Sequence, residues 1–139
     1  MIGLHRELLR YIGKKELLLE KLYRIMDSYG LSCSYRGITV SDDLKTLYPK
    51  TYYAKHNKAG YERLRRDFNQ DKEDMLKLYI LLIYGFNHMI RFNSSGMFNL
   101  SVGNVDFNRN VYEALSGYLS FAEGKDIMFS SCDYRAFLS

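Results

Sequence analysis

With 139 residues and 47% hydrophobic side chains, the chain has the length and composition of one globular domain that buries its own core, which excludes a disordered tail and a disulfide-stapled miniprotein. The formal net charge of +4 favours an anionic partner without demanding one, and the 13 Tyr and 8 Phe, with no Trp, supply rings suited to core edges and binding surfaces alike. Cys33 and Cys132 stand far apart and outside any CxxC pattern, no apolar run reaches membrane-spanning length, and the charged opening MIGLHRELLR is no signal peptide, so the expected setting is cytoplasmic, without a membrane.

Along the chain, Leu4, Leu8, Leu9 and Ile12 fall on one helical face, and Gly13 ends that turn. A second helix runs from about Lys15 to Tyr29 on a stripe of Leu18, Leu22, Ile25 and Met26, with Gly30 as its stop. Residues 31–60 lose periodicity and read as an extended excursion, with a short β piece near Gly37 to Val40 and Tyr48, Tyr52 and Tyr53 pinning it to the body. A short helix passes through Tyr61, Leu64 and Phe68 and breaks near Asn69, and Asp71 is placed to cap the next one. That next helix is the clearest element, because Met75, Leu78, Tyr79, Leu82, Ile83 and Phe86 recur at three and four residues and few polar groups follow Lys77. Past Ile90 the pattern predicts a β-hairpin near 90–102, turning at Ser94-Ser95-Gly96 with Gly96 at positive φ. A helix over about Asn108 to Phe121 follows, then a lone buried strand near 127–130. The fold class is α+β, mostly α-helical.

Catalytic motifs are missing. There is no GxGxxG, no phosphate-binding GxxxxGK loop and no HExxH, and His5, His56 and His88 are isolated, so neither a catalytic residue nor a metal ligand is assigned. The positive signal lies in two stretches. Arg91 follows the clearest helix, with Asn87 one helical turn before it. Arginine pairs with the O6 and N7 of guanine and asparagine with adenine, while Phe86 beside them is an apolar side chain of the kind that wedges between bases. Asn93 stands in the hairpin. Lys55, Lys58, Arg63, Arg65 and Arg66 form a basic run whose charges suit phosphates, contacts that position a protein without reading sequence. The competing reading has Phe86 in the core, Asn87 as a helix cap, Arg91 in a surface ion pair and the basic run as a solvated face.

FNHMIRFNSSGMFNLSVG, from Phe86 to Gly103, resembles the target-recognition block of the D12-class, Dam-like DNA adenine-N6 methyltransferases. YERLRRDFN, through Tyr61, Leu64, Arg65, Phe68 and Asn69, is similar to that family's upstream stretch, and IMFSSCDY to the segment before its catalytic motif. The likeness covers about residues 59–135, and residues 1–58 match only in helical character. It implies N-terminal helices and an excursion over 1–58, a DNA target-recognition module with a hairpin over 59–122, and over 123–139 a remnant of a Rossmann-like catalytic sheet. It also implies double-stranded DNA as partner, Phe86 as a wedge beside a flipped adenine, Asn87 at a neighbouring base, Arg91 on a guanine, and Asp133 near the rim of an S-adenosylmethionine pocket. Flipping is required because the adenine amine is inaccessible to chemistry inside the stack.

The departures are specific. The family's Phe-x-Gly-x-Gly loop is absent, Asp-Pro-Pro-Tyr is excluded because Pro49 is the one proline, and Ser101 stands where the hairpin usually carries proline. The expectation is therefore part of an adenine methyltransferase that recognises DNA, is inactive alone and does not hold S-adenosylmethionine tightly, as either a truncated gene product or one piece of a split enzyme whose catalytic portions are a separate chain. The alternatives are a stand-alone DNA-binding regulator and a helical protein-interaction domain.

Overall fold

The computed structural model describes residues 2–86 and 92–123. Within them lie α1 (Ile2–Leu9), α2 (Lys15–Ser28), a 3-10 turn (Ser34–Arg36), α3 (Asp42–Leu47), α4 (Tyr52–Gln70), α5 (Met75–Tyr84) and α6 (Arg109–Glu123). Helix α5 is the centre of the bundle and packs on α1, α2 and α4, while α6 closes against α1 and the 3-10 turn. Its sequence, MLKLYILLIY, buries Leu76, Leu78, Ile80, Leu81, Ile83 and Tyr84, as expected of a helix surrounded by others. Leu4 and Leu8 of α1, Leu18, Leu22 and Met26 of α2, Leu64 and Phe68 of α4, and Leu115 and Leu119 of α6 complete one continuous core.

Local chemistry sets the helix ends. Gly13 and Gly30 take positive φ (73° and 66°) where α1 and α2 stop. The Asp74 carboxylate, rather than Asp71, caps α5 by accepting from the Lys77 N–H, and Asp71 instead accepts from the Glu73 N–H in the turn before it. Asn108 caps α6 by accepting from the Val111 N–H.

Two expectations in the first half are corrected. Residues 31–60 are not one extended excursion, since α3 and the first turns of α4 lie within them. The helix through Tyr61 is 19 residues long rather than short. Its early turns carry no hydrophobic period because their buried positions are Asn57 and Gly60. Asn57 accepts from the Ser32 N–H and donates to the Ser32 hydroxyl. Gly60 lets α4 touch the end of α2, where a Cβ would sit 2.1 Å from the Tyr29 carbonyl oxygen. Ser32 in turn donates to Asp106, which is 2% exposed and also accepts from the Ser34 N–H and hydroxyl, while the Tyr84 hydroxyl donates to the Ser32 carbonyl. This buried network is fully engaged, the condition under which internal polar groups are tolerated.

The α+β class is also corrected. The described residues are essentially all-helical, with no strand or sheet among them, and the only β pairings they show are the isolated bridges Cys33–Ile38, Gly85–Val102 and Phe92–Phe98. The hairpin expected near 90–102 is not formed, and no Rossmann-like strand is present among the described residues; the strand expected near 127–130 lies outside them. The physical reason is that the backbone groups a ladder would use are taken elsewhere. Asn69 of α4 accepts from the Phe98 N–H (2.8 Å) and donates to the Phe98 carbonyl (3.0 Å). The Leu100 carbonyl accepts from the Tyr61 hydroxyl (2.9 Å) and from Arg65 Nη1 (3.0 Å). Helix α5 stops at Tyr84, short of the predicted Phe86, because the chain there joins the return segment: Phe86 N–H donates to Ser101 and Gly103 N–H to Tyr84. That approach requires glycine at 85, where a Cβ would come within 2.5 Å of Leu100 Cδ2 and 2.7 Å of the Leu81 carbonyl oxygen.

Asn69→Ala orphans both backbone groups of Phe98 and is expected to cost about 1–3 kcal/mol of unfolding free energy, whereas Lys58→Ala on the exposed face stays within about 0.5 kcal/mol. Thermal and denaturant unfolding of the two variants checks this. Burial pushes the phenols of Tyr23, Tyr29, Tyr79 and Tyr118 up to about 12. Their unfolded value is about 10, so the folded chain holds these protons longer, and stability is fully present below pH ~10 and falls as pH rises toward 12. Phenolate absorbance followed alongside unfolding should show late-titrating tyrosines that ionise together with loss of the fold.

Candidate nucleic-acid interface

Helix α4 and the segment 92–100 form one unit. Tyr61, Arg65 and Asn69 recur every four residues along one side of α4, and all three hold the backbone of residues 98–100. An aromatic chain extends the contact: Phe68 meets Phe98 edge-on at 6.1 Å, and Phe98 meets Phe92 edge-on at 5.6 Å. The connecting turn is closed by Asn93, whose amide oxygen accepts from the N–H groups of Ser95 (2.9 Å) and Met97 (3.0 Å) while its own N–H donates to the Met97 carbonyl. Gly96 in this turn has φ 78°, as its position predicts.

Each expected DNA residue has a definite place. Phe86 is 57% exposed, so it is not core, and its backbone is fixed by the bond to Ser101. Asn87, Arg91 and Asp133 lie outside the described residues, although Phe86 and Phe92, next to the first two, are placed. Asn93 is exposed and works inside the turn. Lys55 and Lys58 are exposed on α4, with the Lys55 ammonium 4.8 Å from the centre of the Tyr48 ring. Arg63 is exposed, gives Nη2 to the Tyr29 carbonyl (3.2 Å) and lies over the Tyr29 ring. Arg65 is half-buried and lies over Tyr61 while bonding Leu100, so its structural contact is a cross-link of the unit. Arg66 is exposed.

Between α4 and the turn lies an open cleft of about 440 Å³ lined by Glu62, Arg65, Arg66, Asn69, Gln70 and Met97. The Lys72 ammonium reaches the turn, 3.6 Å from where a Cβ on Gly96 would sit. The arrangement offers cations and amides beside exposed aromatic rings, which suits phosphate contact and base stacking. Sequence reading missed Asn69 and Tyr61 as the hinge of this unit and Asn104 as its brace. Asn104 accepts from the Ala54 N–H and donates to the Lys50 carbonyl, tying the chain after the turn to the start of α4. The four-residue spacing of Tyr61, Arg65 and Asn69 was the available signal.

The described residues contain no glycine-rich cradle for S-adenosylmethionine, and the expected rim residue Asp133 lies outside them. No group of three or more His, Cys, Asp or Glu that could hold a metal ion occurs among the described residues. No helix among them is long and apolar enough to cross a membrane.

Among the described residues the site is a helical surface that exposes Lys55, Lys58, Arg63 and Arg66. In sequence, the chain is similar to the Modification methylase LlaI of Lactococcus lactis subsp. lactis, with 29% identity over 77 residues. The match covers 55% of this chain and 12% of that protein, a distant and partial likeness to a DNA methyltransferase-family protein. No family model matches the chain.

Proposed function

We propose that this chain is a helical module that binds double-stranded DNA through the outer face of α4 and the turn clamped beside it. The observation that carries this reading is the cross-linking of α4, through Tyr61, Arg65 and Asn69, to residues 98–100, on a unit that carries exposed Phe86 and Phe92 and whose helix exposes Lys58 and Arg66. The partial similarity to a modification methylase supports DNA as the ligand. Lys55, Lys58, Arg63 and Arg66 meet phosphates, with Arg65 bracing the turn beside them; Phe86 serves as the wedge, with Asn87 and Arg91 at base edges and Asn93 shaping the turn. Residues 59–122 form the recognition unit and residues 1–58 brace it.

The finer version of the proposal is target recognition for an adenine-N6 methyltransferase. The methyl donor, S-adenosylmethionine, and the reaction centre (with Asp133 near its rim) belong to catalytic portions beyond the described unit. A helical protein-interaction role is the second reading. It is favoured by the open apolar groove of about 220 Å³ lined by Tyr79, Leu82, Ile83, Val111 and Ala114.

Binding of fluorescent duplexes across a salt series tests the proposal. Affinity is expected to fall log-linearly with salt, and Lys58→Ala with Arg66→Ala to shallow the slope by about 0.9 for each phosphate that is no longer neutralised. Arg91→Ala is expected to cost about 1–3 kcal/mol on the preferred sequence and little on others. Absence of salt-dependent binding contradicts the DNA reading and favours protein interaction. For the finer version, methylated adenine should appear only when this chain, the catalytic portions and S-adenosylmethionine are mixed.

A further inference from the structure

Helix α4 is a ridge with a cleft on each side. On one side is the cleft shared with the turn. On the other, α2, α4 and α5 enclose an open cleft of about 490 Å³ lined by Arg24, Ser28, Tyr29, Arg63, Asp67 and Lys77. Three cations face this space against one carboxylate, and that carboxylate accepts a hydrogen bond from the Tyr29 hydroxyl. Arg63 is held in place by its bond to the Tyr29 carbonyl and by the ring beneath it. Arg24 pairs with Glu20 at 2.5 Å and Lys77 with Asp74 at 3.8 Å. The Arg24–Glu20 pair is exposed, and exposed pairs are weak; Lys77 and Asp74 are half-buried, and their longer contact leaves the ammonium free to add a phosphate oxygen.

The spacing along α4 gives these facts a direction. In steps of about 100° per residue, Arg66 stands at the crest, Arg63 on the flank of the second cleft and Arg65 on the flank of the first. An α-helix with side chains is about 10–12 Å across, and the DNA major groove is about 12 Å wide. We infer that a DNA duplex straddles α4, one phosphate strand running beside the turn and the other along the cleft of Arg24, Arg63 and Lys77. The inference rests on the DNA-binding reading and adds Arg24 and Lys77, which no sequence motif marks, as phosphate contacts. Their role is sequence-independent, since phosphate contacts set register and grip rather than base choice.

The test is duplex binding across a salt series with the Arg24→Gln, Lys77→Gln double variant. The slope of log affinity against log salt is expected to shallow by about 2, near 0.9 per phosphate, equally for all sequences. The charge-retaining pair Arg24→Lys, Lys77→Arg is expected to keep the wild-type slope, which separates removal of charge from failure to fold. Arg10→Gln with Lys14→Gln removes the same charge in the turn between α1 and α2, with Lys14 about 15 Å from Arg24 by helical rise, and is expected to leave the slope unchanged. If wild type binds but the Arg24, Lys77 variant keeps its slope, or the distant pair shallows it as much, the straddling geometry is overturned while DNA binding stands. If wild type shows no salt-dependent binding, the DNA reading falls and this inference falls with it.

Discussion

Asn69 holds Phe98 by both of its backbone groups, in the way a neighbouring strand would, and it does so from a helix. Tyr61 and Arg65 add two donors to the Leu100 carbonyl from one and two turns earlier. The placement of everything on the basic side of the molecule depends on this set of bonds. With the return segment fixed to α4, its bond to Phe86 sets where α5 must end, and the edge-on contacts of Phe68, Phe98 and Phe92 seat the turn. Amide groups of the return segment that would otherwise demand a sheet are satisfied by side chains, so it is carried on a body that is essentially all-helical among the described residues.

The same logic explains why the core accepts polar residues. Asn57, Ser32 and Asp106 are buried together, and each bonds another member of the group. Tyr84, at the end of the central helix, is tied into them through the Ser32 carbonyl. The segment between α2 and α4 is thereby locked to α5 and to the approach to α6. The basic ridge therefore has a firm base, and the cations on α4 project from a helix whose opposite face is committed to Gly60, Tyr61, Leu64 and Phe68. The backbone that carries these cations is fixed, so the ordering left for phosphate contact lies in the exposed side chains themselves.

Helices α1, α2, α5 and α6 were legible in the sequence because their core faces repeat leucine and isoleucine at three and four residues, Gly13 and Gly30 were legible as helix stops, and Gly96 as a position of positive φ. The first half of α4 was hidden because the residues it turns inward are Asn57 and Gly60, chosen for a hydrogen bond and a close approach rather than for hydrophobicity. Helix α3 buries no residue and spans six positions, too few to show a period. The hairpin was mispredicted because its Ser94-Ser95-Gly96 turn is a real local signal, while the groups that capture its backbone come from about thirty residues away, as in the Asn69–Phe98 pair. At the candidate site, the basic run was legible as composition. Its division into exposed Lys58, Arg63 and Arg66 and a bracing Arg65 was not, because that depends on which side of α4 meets the return segment.

The central claim is that DNA meets α4 and the turn as one surface. Backbone amide NMR of the chain, titrated with a short duplex, tests it most directly. The account predicts progressive shifts along the outer face of α4, from Lys55 to Arg66, and in residues 92–97, with α1 and α6 left unchanged. Shifts gathered on α1 and α6 while the α4 ridge stays silent would contradict it.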